Sequence, residues 1–72
     1  MTHSGGKPHA VGDRGQRFEI RATGWPRSEQ SVIGWCDAIQ SAEQWARGIL
    51  KAPGCKTAEF EDRQEKTVTT VE

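Results

Sequence analysis

Cysteine is scarce in this chain, and its two copies stand far apart. Cys36 and Cys55 form no Cys-x-x-Cys pair, which excludes a disulfide framework and leaves structural zinc, with its four closely spaced Cys or His ligands, without a ligand set. The expectation is two small apolar residues kept as thiols, with a single bridge as the alternative. Histidine is equally sparse. His3 and His9 both fall in the leading stretch, so no imidazole is fixed beside a cysteine and oriented by a third group, as nucleophilic catalysis requires. No apolar run approaches the roughly 18 residues of a membrane-spanning helix, and no secretory leader is visible. A soluble, cytoplasmic protein is expected. Glycines 5, 6, 12 and 15 neither follow a strand nor open a helix, so they make no phosphate loop. The absences together predict no catalytic residue, no cofactor and no metal, and therefore no enzyme.

Net charge is absent as well: ten basic side chains balance ten acidic ones. A balanced chain is poorly suited to non-specific nucleic-acid binding, which rests on neutralising phosphates. The balance is uneven along the chain, however. Positions 1–27 hold Lys7, Arg14, Arg17, Arg21 and Arg27 against Asp13 and Glu19, whereas the remainder is acidic. The basic leading third keeps a nucleic-acid accessory as the alternative function.

Hydrophobic residues make up only 33% of the 72 residues, and a chain of this length allows one small domain of marginal stability. Residues 1–16 hold four glycines, a proline and two histidines without any period. They read as a disordered N-terminal tail, leaving 17–72 as a single small α+β domain. Three tryptophans and two phenylalanines make a small core affordable, since each buries roughly 150–250 Å².

The clearest element is the helix through residues 41–50. Ala42, Trp45, Ala46, Ile49 and Leu50 recur at i, i+3, i+4, i+7 and i+8, one apolar face of a helix. Ser41 and Gln44 have the spacing of a capping box, Pro53 cannot continue the helix, and Gly54 suits a left-handed turn after it. Residues 17–23 alternate strictly, with Phe18, Ile20 and Ala22 on one face and Arg17, Glu19, Arg21 and Thr23 on the other, as in a half-buried strand. Residues 31–37 admit two readings. Val32, Trp35, Cys36 and Ile39 fit a helical stripe, but Gly34 would cost about 1 kcal/mol inside a helix, and Val, Ile, Trp and Cys suit a pleated surface. A short strand is the reading adopted. Residues 56–62 alternate again, Asp62 to Glu65 make a polar turn, and residues 66–71 close the chain as a β-branched edge strand. The predicted fold is a β-β-α-β-β domain with one helix packed on a mainly antiparallel sheet. The expected core is Phe18, Ile20, Ala22, Trp45, Ala46, Ile49, Leu50, Ala58, Phe60 and Val68, with Trp35 or Ile33 added.

Two groups of residues are candidates for recognition. The loop Gly24-Trp25-Pro26-Arg27-Ser28 offers Trp25 and Arg27, residue types enriched at interface hot spots, on a backbone stiffened by Pro26. Trp25 also suits a lid over the end of the core. Glu59 and Glu61 should share a sheet face with Arg17, Glu19 and Arg21, where opposite charges on neighbouring strands are ordinary decoration of a wet face. The contact set expected from sequence is Trp25, Pro26, Arg27 and Arg21, with Glu59 and Glu61 as a second, charged patch. The partner expected is another protein, with no membrane involved. The order of strand, Gly-Trp loop, Ala/Trp helix, Pro-Gly and acidic strand resembles small modules of bacterial and phage genomes, a likeness that implies no residue role.

Overall fold

In the computed structural model, which describes residues 11–72, four strands and one helix follow one another in the order β1 (Phe18–Thr23), β2 (Ser31–Cys36), α1 (Ile39–Leu50), β3 (Thr57–Asp62) and β4 (Thr67–Val71). The strands form one antiparallel sheet in the order β2-β1-β3-β4. The predicted α+β class and element order are those observed. Strand β1 lies between β2 and β3, so α1 carries the chain across β1 and packs chiefly on β1 and β3. Among the described residues, this helix covers one face of the sheet and nothing packs over the other.

The core follows from the alternation of the two central strands. Phe18, Ile20 and Ala22 of β1 and Ala58 and Phe60 of β3 are buried beneath Ala42, Ala46 and Ile49 of α1. The rings of Phe18 and Phe60 meet edge to face, with centroids 6.1 Å apart, the arrangement favoured by the aromatic quadrupole. Trp25, Ile33, Cys36, Trp45, Leu50 and Cys55 pack around this cluster, half-buried. Both cysteines are free thiols.

Two expectations are corrected, and the choice between Trp35 and Ile33 is decided. The helix begins at Ile39, ahead of Ser41, and its N-cap is Ala38, whose side chain makes no capping hydrogen bond. The Ser41–Gln44 box therefore does not form, because both residues already lie inside the helix. Val68 is 54% exposed, and Val71 is the buried valine of β4. Pairing decides between them: Val71 stands opposite Ala58 on the core face, Val68 opposite Glu61 on the other, and side chains an odd number of positions apart cannot share a face. Trp35 pairs with Glu19 on the uncovered face, and Ile33 is the residue packed on the core. Asp62 ends β3 and opens the polar turn, as expected, and its side chain is buried.

The tail expected over residues 1–16 lies outside the described residues up to position 10. Val11, within the stretch read as tail, pairs with β2. Val11 N–H donates to the Ile33 carbonyl (3.1 Å) and the Val11 carbonyl accepts from Trp35 N–H (2.8 Å), a parallel bridge opposite Gly34. Glycine is required there. A Cβ on Gly34 would collide with the Val11 carbonyl oxygen and the ring of Trp45, so the residue that weakens a helix is the one that lets three segments close together in the sheet.

Candidate functional site

The uncovered face of the sheet carries the densest group of charged side chains. Glu19 and Arg21 project from β1 and Glu59 and Glu61 from β3, in register: Arg21 opposite Glu59, Glu19 opposite Glu61. The second pair sets two carboxylates directly across from each other, which is unfavourable by itself. Arg21 relieves it. Its Nη2 lies 2.8 Å from Glu59, and its Nη1 lies 3.2 Å from Glu61 and 3.3 Å from Glu19. The Glu19 carboxylate also accepts a hydrogen bond from the Trp35 indole N–H (3.1 Å). Three carboxylates around one guanidinium leave the centre of this face acidic. Half-buried Trp35 borders it, and exposed Val32 and Val68 on the two outer strands lie on the same face.

The sequence-derived contact residues do not form one surface. Arg21, Glu59 and Glu61 meet in the cluster just described. Trp25 is half-buried against the core, so the loop after β1 presents Pro26 and Arg27 to solvent. Arg17, expected on the uncovered face, turns away to Asp62. Its Nε and Nη2 bind the two carboxylate oxygens at 2.8 and 2.7 Å, and the guanidinium lies 5.0 Å from the centre of the Phe18 ring. Asp62 Oδ1 also accepts the backbone N–H groups of Gln64 and Glu65 (3.0 and 3.2 Å). The Arg17 hydrogen bonds, assisted by these amides, hold the Asp62 carboxyl at about 2, against an ordinary 3.8, despite the opposing effect of burial. Asp37 is likewise pushed below its ordinary value, by the side chain of Gln16 and the backbone N–H of Arg17. Burial pushes the Cys36 thiol up, the opposite of what a reactive thiolate needs.

Trp35 is the member of the acidic face that sequence reasoning left between core and surface. No local signal settles it: pairing sets Trp35 opposite Glu19 and Gly34 opposite Ile20, and the register then shifts so that Ile33 is the extra residue of β2. Among the described residues, no group of three or more His, Cys, Asp or Glu side chains is placed to hold a metal ion, and no helix is long and apolar enough to cross a membrane.

No family model matches this chain, and comparisons with curated proteins and with solved structures find no match.

Proposed function

We propose that this domain is a non-catalytic binding module whose uncovered sheet face receives a basic segment of another protein. The observation that carries this reading is the convergence of Glu19, Glu59 and Glu61 on Arg21. The face has an excess of carboxylates at its centre and an indole beside them. A lysine- or arginine-bearing segment meets complementary charge there and an apolar shelf on which to lay its methylene stems. Regulation or inhibition of a larger assembly is one use of such a module.

The alternative, a nucleic-acid accessory using the basic leading third, is less well supported. Arg17 and Arg21 are already engaged by carboxylates, and an acidic face repels phosphate. Lys7 lies outside the described residues.

An NMR titration tests the choice. A short Lys/Arg-rich peptide is expected to shift the Trp35 indole N–H and the amides around Glu19 and Glu61, with weaker binding at higher salt and in Glu59→Gln/Glu61→Gln. No peptide binding, or shifts confined to the loop at Pro26 and Arg27, overturns the assignment of this face. Binding of a single-stranded oligonucleotide in its place overturns the partner class.

A further inference from the structure

The two edges of the sheet differ. The outer edge of β2 is occupied, since Ile33 and Trp35 bond to Val11. Among the described residues, no backbone group pairs with the outer edge of β4. Natural edge strands are usually blunted by charge, proline or a bulge. Strand β4 reads Thr-Val-Thr-Thr-Val, contains none of these, and pairs with β3 in an unbroken register. Its first four residues are exposed.

Which β4 groups point outward follows from the ladder. Arg63 N–H donates to the Arg17 carbonyl, which makes that facing pair a hydrogen-bonded one. Alternation then turns Glu61 and Glu59 toward β1, and Asp62, Phe60 and Ala58 toward β4. Their partners Thr67, Thr69 and Val71 turn back toward β3. The backbone N–H and C=O groups of Val68 and Thr70 are left aimed away from the sheet. The outward bonds of Ile33 and Trp35 on the opposite edge obey the same alternation.

We propose that β4 pairs with β4 of a second copy of this chain, antiparallel, about a two-fold axis through Thr69. In this register Val68 of each copy faces Thr70 of the other, and their outward backbone groups exchange hydrogen bonds. The sequence is self-complementary around the axis. Lys66, which closes the β3–β4 turn with φ 58° just before β4, comes beside Glu72 of the other copy, twice, so opposite charges lie at both ends of the seam. Val68 and Thr70 meet on the uncovered face, and the two Thr69 side chains meet on the helix face. The product is one continuous eight-stranded sheet with both helices on one side and both acidic faces on the other. Because strands of five residues make a small interface, the association is a concentration-dependent equilibrium rather than an obligate dimer. The proposal does not depend on the peptide-binding reading, which concerns the face and not the edge.

Sedimentation of the full chain at rising concentration, up to the millimolar range, tests it. Mass should rise from monomer towards dimer, with amide exchange at Val68 and Thr70 slowing in step. Thr70→Pro removes an outward N–H while sparing the β3 ladder, and should abolish association with the circular dichroism of the fold retained. Lys66→Glu should weaken association about threefold to thirtyfold, since two facing pairs turn repulsive; Lys66→Glu/Glu72→Lys should restore it even if the proline variant fails to fold. A chain that stays monomeric throughout overturns the proposal. So does a dimer indifferent to the charge exchange.

Discussion

At the scale of single residues, the most consequential contact is the fork between Arg17 and Asp62. It joins the start of β1 to the end of β3, and the same carboxylate collects the two amides of the following turn. A carboxyl whose folded-state value lies near 2 against an ordinary 3.8 binds its proton more readily in the unfolded chain. Its contribution to stability is therefore fully present above about pH 4 and is lost as pH falls towards 2. Asp37, lowered by Gln16 and Arg17, acts in the same direction. Urea unfolding followed from pH 6 down to pH 2 should show stability falling through this window. Asp62→Asn should be less stable at neutral pH and show a flatter acid limb. An unchanged acid limb in that variant would assign the loss to other groups. The pair was missed in sequence because strict alternation placed Arg17 on the uncovered face, and nothing local marks a side chain that bends back over Phe18.

At the scale of elements, α1 shows a local signal outvoted by its surroundings. Ser41 and Gln44 have capping-box spacing, yet the chain turns helical at Ile39, immediately after Asp37 anchors the segment before β1. Ala38 has the extended backbone of an N-cap but no side-chain acceptor. Ala38→Asp should therefore stabilise the domain by about 1 kcal/mol, raising the melting temperature by roughly 4–8 °C. Ser41→Ala should stay within about 0.5 kcal/mol of the parent. A large loss on Ser41→Ala, measured by thermal unfolding, would mean that the helix starts at Ser41 after all. In β4, the two valines compete for the core at an odd spacing, and local pattern has no means of choosing. The pairing of Val71 with Ala58 makes the choice.

At the scale of the whole molecule, the segment from Val11 to Gln16 joins the sheet to the helix entry. It covers the β2 edge through Val11, and Gln16 donates to Asp37 (2.9 Å) just before α1. Arg63 reaches back to the Arg14 and Gln16 carbonyls from the β3–β4 turn. A domain this small has little core to spare, so these bonds matter. Removing residues 1–16 should lower stability by on the order of 2–4 kcal/mol, from several hydrogen bonds each contributing roughly 0.5–1.5 kcal/mol. Urea midpoints of the two chains measure it. An unchanged midpoint would mean that residues 1–16 add nothing to a domain that begins at Arg17.

Element types and order were legible from the chain alone, because hydrophobic period and breaker residues are local properties. Phe18-x-Ile20-x-Ala22 can only be a half-buried strand, Ala42, Trp45, Ala46 and Ile49 only a helix face, and Gly54 adopts the positive φ expected of it. The clustering of Arg21 with Glu59 and Glu61 was legible for the same reason. Long-range packing decided the remainder: which valine of β4 is buried, where Trp35 and Arg17 point, why Gly34 must lack a side chain, and which sheet edge stays open. Each depends on strand order and register, which bring together residues tens of positions apart and leave no periodic trace in either partner.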